Sequence, residues 1–412
     1  MPDELTAGRA AEAVARRSYG RLVAFLAARS RDVTAAEDAL ADAFAAALTD
    51  WAASGIPRNP EAWLMAVARR RLIDGARRRR TRGEAADHLR FLAEELGEAM
   101  DEMAIPDHRL ALMFACAHPA IDPAIRAPLI LQTLLGFDAM AIGAAFLVSP
   151  AAMGQRLVRA KHKIRHAGIP LRVPERGEMP ERLDAVLAAI YAAFSGGWLD
   201  SSRRNLAEEA IWLGRLVVAL LPEEAEALGL LALMLHAEAR HAARRDAAGA
   251  YVPLTEQDTS LWDSRLIDEA EALLQRASAM GMIGRYQLEA AVQSAHAVRR
   301  VTGQSDWPAI ERLYEALSAI TDSPVAKVNR AIAIAETRGP EMGLACLNTL
   351  AADPRLADYQ PYWAARADLL ARGERAGADE AYQRAIGLEA DPAVRSYLRQ
   401  RRRAFDRGDG KV

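Results

Sequence analysis

The sequence predicts an all-helical (all-α) protein, and three observations carry that reading. Apolar residues recur at helical spacing, as at Leu22, Phe25 and Leu26. The chain is rich in Ala, Leu, Arg and Glu and poor in Phe, Tyr and Thr, a usage that suits helices. Continuous strand-like runs are few. At 412 residues there is room for two or three domains and a sizeable core. The net charge of −2 would by itself argue against a nucleic-acid partner. The average conceals a division, because basic residues gather before Gly83 and again from Arg156 to Arg172, while acids dominate elsewhere.

Helical periodicity starts near Ala10. Thr34 is the expected N-cap of the next helix, with Glu37 completing a capping box. That helix sets Ala36, Leu40, Phe44 and Leu48 on one face and turns Glu37, Asp38 and Asp42 towards the other. Two prolines and a glycine make residues 53–60 a loop. Asn59 then caps a third helix that has Pro60 in its first turn. From Arg69 to Arg82 there are eight arginines against one acid, Asp74. They fall on several faces, which a solvated stripe beside a core would not require. Trp63, Leu64, Val67, Leu72 and Ile73 remain to anchor the helix. Guanidinium forks suit phosphate oxygens. Trp63 either packs in the core or stacks on an unpaired base.

Residues 83–106 read as a linker. Helices over Arg109 to Phe146 are expected to be separated by Pro119, Pro123 and Pro128 and by Gly136. Within them Asp138 to Phe146 reads as a supporting helix, Leu147-Val148-Ser149 as a turn and Pro150 to His166 as a recognition helix. Met153, Leu157, Ala160 and Ile164 recur at core spacing. Gln155, Arg156, Arg159 and Lys163 lie on other faces, and no acid occurs in the helix. Gln and Arg in its N-terminal half suit base edges, whereas Lys161, Lys163 and Arg165 suit phosphates.

Three prolines and two glycines between Gly168 and Pro180 mark the clearest boundary. A helical array follows. ADEAYQRAIGLEADP, from Ala378, resembles the second helix of a tetratricopeptide (TPR) repeat, and a unit beginning at Pro324 ends in the same Asp-Pro punctuation at Asp353-Pro354. Gln257-Asp258 and Trp262-Asp263 are read either as a capped helix start, with Thr259 or Ser260 as cap, or as a ligand site. Cys116 and Cys346 stand far apart without metal-ligand neighbours, so core roles and a reducing compartment are expected. No export signal is legible, and the longest apolar stretches, such as that from Leu228, are too short to span a bilayer. A cytoplasmic location without membrane contact is expected.

No nucleotide-binding glycine loop, zinc-protease or serine-nucleophile motif is present, and the eight histidines are scattered. An enzyme, a cofactor and a metal are therefore not expected. The first 170 residues instead resemble the extracytoplasmic-function (ECF) group of bacterial sigma-70-family factors. AEDALADAFAAALTDW, Ala36 to Trp51, is similar to the region 2 helix that binds the polymerase β′ clamp. NPEAWLMAVARRRLIDGARRRR, Asn59 to Arg80, is similar to the part of region 2 that opens and reads the −10 element. Arg109 to His166 resembles region 4, which binds the β flap and the −35 element. The family often has Asn where this chain has Arg70, and Gln-Glu where it has Ala41-Asp42. The stretches NLAEEAIWLGRLVVALLPEEAEALGLLALMLHAEAR, EQDTSLWD and SPVAKVNRAIAIAETRGPEMGLACLNTL resemble the long TPR-like extension of one ECF subgroup.

The resemblance implies domains at 1–82 (region 2), 107–170 (region 4) and 180–412 (regulatory array). It implies that Glu37, Asp38, Asp42, Phe44 and Trp51 dock on core RNA polymerase. Asn59, Trp63, Arg69, Arg70, Arg77, Arg78 and Arg79 would engage −10 promoter DNA. Ser149, Gln155, Arg156, Arg159 and Lys163 would engage the −35 element. A regulatory protein or ligand is the further partner expected at the C-terminal array. The competing reading is a helix-turn-helix regulator with a C-terminal sensing domain, which leaves the acidic helix and the arginine run without a task.

Overall fold

In a computed structural model the described residues are 2–79, 108–146, 148–167, 169, 172, 174–199, 204–373 and 376–407. The expected linker at 83–106 lies outside them, as do Arg80, Arg82 and Leu147. Among the described residues there are helices and short turns but no strand, only an isolated bridge between Arg245 and Tyr251. The chain divides into two compact units, Met1–Leu213 and Gly214–Val412.

The first unit opens with α1 (Pro2–Ser30), α2 (Val33–Ser54) and α3 (Pro60–Arg79), each packed on the other two. Leu22, Val23, Phe25 and Leu26 of α1 meet Ala36, Leu40, Ala43 and Ala47 of α2 and Leu64, Met65, Ala68 and Leu72 of α3 in a buried core. The alanines let these helices approach closely, and burying the larger side chains contributes roughly 1.5–3 kcal/mol each. Asp32, not Thr34, caps α2: its extended backbone aims the carboxylate at the Ala35 N–H, 3.0 Å away. Glu37 is thereby left without a capping role.

Next come α4 (Arg109–Cys116), α5 (Pro123–Leu135), α6 (Ala139–Phe146), α7 (Pro150–Ala167) and α8 (Pro180–Leu199). Asp122 caps α5, and Pro128 lies inside that helix rather than between helices. Its missing N–H and ring strain are tolerated in a helix whose Leu129, Ile130 and Leu131 are fully buried. α5 is the hub of the unit, touching α1, α4, α6, α7 and α8. On α1, a side chain at Gly20 would strike the carbonyl of Leu134. Segments 1–82 and 107–170, expected as separate domains, thus share one core. The unit also continues past the expected boundary at 168–180, because α8 packs on α4 and α5. Prolines mark where a helix stops, not which core the next helix joins.

Helix α9 (Arg204–Leu220) contains the division between the units. The second unit then runs through α10 (Ala225–Ala239), α11 (Ser264–Ala279), α12 (Arg285–Ala297), α13 (Trp307–Ile320), α14 (Pro324–Arg338), α15 (Pro340–Thr349), α16 (Gln360–Arg372), α17 (Ala378–Leu388) and α18 (Pro392–Asp406). α12 packs on both α10 and α13, and from α13 onward each helix packs chiefly on its neighbours in sequence, giving a helical array. The Asp-Pro punctuation is capping chemistry. Asp353 and Asp391 accept the N–H two residues on, at 2.9 Å each, and the proline occupies the first helical turn. Asp263, rather than Thr259 or Ser260, caps α11, while Trp262 and Gln257 are buried.

Candidate protein and nucleic-acid interfaces

Three surfaces of the first unit gather the residues singled out in the sequence. On α2, Asp38 and Asp42 are exposed, Leu48 further along the helix is 51% exposed, and Phe44 is half-buried. Asp42 lies 4.0 Å from Arg71, too far and too wet to tie it down. The helix thus exposes both acid and apolar surface, which suits a protein more than DNA.

Glu37 sits differently. Its carboxylate pairs with the Nζ of Lys161 on α7 at 2.7 Å, and the two side chains are only 13% and 17% exposed. Burial holds the Glu37 carboxyl above its ordinary range, and Lys161 offsets part of that. Burial also raises the phenol of Tyr19, with Glu37 and Asp38 adding to it. Lys161, expected at a phosphate, is thus committed within the chain. Trp51 is a correction of another kind. At 2% exposure it offers no face to a partner and packs edge-on against Trp63, ring centroids 5.5 Å apart. The expected docking residue is a core residue, because its spacing continues the buried Ala36–Leu40–Ala43–Ala47 stripe.

On α3, Asn59 caps as expected, its Oδ1 accepting the Ala62 N–H at 3.1 Å. Trp63 keeps part of its ring accessible while Trp51 braces it. Glu61 binds Ser18 and Arg21 and lies 3.7 Å from Arg17, so the one acid of the first turn locks α3 onto α1. Arg70 is exposed and Arg69 half-buried, its guanidinium below the ordinary range through burial and then the like charge of Arg29. Arg29, which the sequence reading missed, stacks 4.0 Å over the Phe25 ring. It lies outside the arginine run, so only the fold brings it towards Arg69. The helix carries Arg77, Arg78 and Arg79 to its end, but their side chains lie outside what the structure describes.

The third surface is built by α6 and α7, which meet at 107°. Asp138 accepts the Ala141 N–H at 2.7 Å and opens α6. In the turn, the Val148 N–H donates to the Gly143 carbonyl at 2.9 Å. A Cβ at Gly143 would come within 2.5 Å of the Val148 carbonyl oxygen, so the corner demands glycine. Met153, Leu157, Ala160 and Ile164 are buried at the expected spacing. Ser149, Gln155, Arg156, Arg159, His162 and Lys163 are exposed. Among the described residues no ion pair engages Arg156, Arg159 or Lys163, so these cations are available to an anionic partner. The side chain of Arg165 lies outside the described set.

Several other titratable groups are held in the cores or in capping turns. Cys116 is buried beside Thr133, and burial pushes its thiol up to about 12. His118 accepts the Ala120 N–H at 3.1 Å. In the second unit burial lowers His236 to about 4 and His296 to about 3, with Arg240 adding to both. Among the described residues no single helix is long and apolar enough to cross a membrane.

The Sigma-70 region 2 family matches residues 14–83, which coincide with most of α1, α2 and α3. A family of unknown function (DUF6596) matches residues 182–278. An uncharacterized protein of Rhizobium meliloti (strain 1021) is 38% identical over 381 residues, covering 90% of this chain and 89% of that one. No solved structure matches the chain.

Proposed function

We propose, for a chain that belongs to one family with the Rhizobium meliloti protein and carries a sigma-70 region 2, the work of an alternative sigma factor of the ECF group. A region 2 indicates a sigma-factor role in promoter-specific transcription, with core RNA polymerase and promoter DNA as partners. The observation that carries the reading is the coincidence of that match with α1–α3, where an acidic face and a basic helix emerge from one core. Asp38, Asp42, Phe44 and, once released from Lys161, Glu37 dock on polymerase. Arg69, Arg70 and Arg77 to Arg79 hold the −10 strands, with Trp63 presented beside them and Asn59 fixing the start of the helix.

The α6–α7 corner acts as a helix-turn-helix at the −35 element, with Ser149, Gln155, Arg156, Arg159 and Lys163 facing DNA. The angle of 107° supports this, being within the range of such motifs. The second unit is a TPR-like array that modulates the activity of the first, and its neighbour-on-neighbour packing supports that reading. The reaction chemistry belongs to polymerase, so no catalytic residue is assigned.

In vitro transcription with core polymerase and the full chain on a promoter library tests the proposal. Initiation at a defined set of promoters that core enzyme alone ignores is the expected result. Failure of the chain either to bind core enzyme or to change its start sites would overturn it.

A further inference from the structure

We propose that Val158 on α7 reads the 5-methyl group of a thymine in the upstream promoter element. The inference rests on reading α7 as the helix that enters the −35 major groove. Val158 is 59% exposed, on the side of α7 opposite its buried Met153, Leu157, Ala160 and Ile164. Gln155, Arg159 and His162 are exposed at helical spacing around it, three residues before, one after and four after, so the four share one face. Neither the core nor the helix accounts for a valine there. It packs on nothing in the unit's interior, and a β-branched residue is a weaker helix former than Ala, Gln or Arg at an exposed position.

The surroundings select the ligand. α7 carries no acid, and Arg156, Arg159 and Lys163, engaged by no ion pair among the described residues, make its exposed surface positive. That complements a phosphate-lined groove and repels a basic protein surface. Within a B-form major groove the thymine methyl is the one apolar group a base edge presents, and branched or methyl-bearing side chains meet it. Val158 stands roughly two turns in from Pro150, next to Gln155, whose amide matches the N6 and N7 edge of adenine. The juxtaposition predicts a site in which an adenine and a thymine are read by neighbouring side chains.

The test uses holoenzyme assembled from the full chain and core polymerase. Upstream duplexes are first selected from a pool randomised in the −35 segment. Each thymine of the selected sequence is then replaced, one at a time, by deoxyuridine, which removes only the methyl group. At one position the replacement should weaken wild-type binding about fourfold, the factor for one buried methyl. Val158→Ala should bind the thymine and deoxyuridine duplexes equally. Its exposure makes the variant safe for folding. Indifference of the wild type to every replacement would overturn the proposal, as would a Val158→Ala holoenzyme that keeps the preference. A Val158→Ala defect in assembly with polymerase, equal on both duplexes, would assign the side chain to a protein contact and overturn it too. If selection enriches no upstream sequence, the reading of α7 itself fails and takes the proposal with it; that failure is recognisable before any deoxyuridine is introduced.

Discussion

Two histidines of the second unit behave as neutral core residues. His236 and His296 are almost wholly enclosed, and burial depresses their pKa values to about 4 and about 3. An unfolded chain binds protons at both near pH 6.5, so it takes up more protons than the folded one as pH falls below that value. The stability that the neutral rings contribute is complete above pH 6.5 and is lost towards pH 4 and pH 3. At pH 5 the loss should be about 2 kcal/mol for His296 and less for His236, whose Nε2 lies 3.5 Å from the Glu271 carboxylate that favours the charged ring. Urea midpoints at pH 7.5 and pH 5 should therefore lie closer together in His236→Gln or His296→Gln than in the wild type. An unchanged gap would contradict the burial argument. Sequence could not have shown this, since the eight histidines form no pattern; it is the surrounding helices that enclose two of them.

The Glu37–Lys161 pair belongs at the same scale. A half-broken buried pair strands a charge, so Lys161→Met should cost about 3 kcal/mol, whereas Glu37→Leu combined with Lys161→Met should be near neutral. Thermal unfolding of the three proteins measures the difference. Asp38→Asn, on the exposed side of the same helix, should leave the midpoint within about 0.5 kcal/mol of wild type while weakening polymerase binding.

Among the helices, α7 was legible in detail. Its buried stripe and its exposed cations follow from a seven-residue pattern that only one helix orientation satisfies. Asn59 at the start of α3 was legible for a similar reason, since cap chemistry is local. Trp51 was misread because sequence distinguishes the two faces of an alanine-rich helix poorly, and Leu48 stands exposed where the pattern placed it inside. The Asp32 cap was missed because Thr34 offered an equally plausible oxygen two residues later. Helix α7 also yields a prediction of its own. Arg156→Ala and Arg159→Ala should each lower the slope of log affinity against log salt by about 0.9 for duplex DNA, if each arginine neutralises one phosphate. A filter-binding series over salt concentration with holoenzyme reads that slope. Identical slopes in wild type and variants would remove these arginines from the backbone contacts.

At the scale of the molecule, the all-helical class was plain in the composition, but the partition was not. Proline-rich residues 168–180 end a helix without ending a core, and α5 draws α1 and α8 onto itself through contacts between residues far apart in sequence. A chain shortened for functional work should therefore end after α9, at Leu220, rather than near Gly168, which would strip α8 from α4 and α5. Transcription by the 1–220 chain, compared with the full protein on the same promoters, should differ several-fold in output if the array modulates activity. Equal output would leave the second unit without that role.

The bond between Glu37 and Lys161 spans 124 residues of chain and joins the helix proposed for the enzyme to the helix proposed for the promoter. One ammonium cannot answer a carboxylate and a phosphate at once. A partner that took Glu37 as its own would therefore leave Lys161 without its carboxylate, on the same helix as the exposed Arg156 and Arg159.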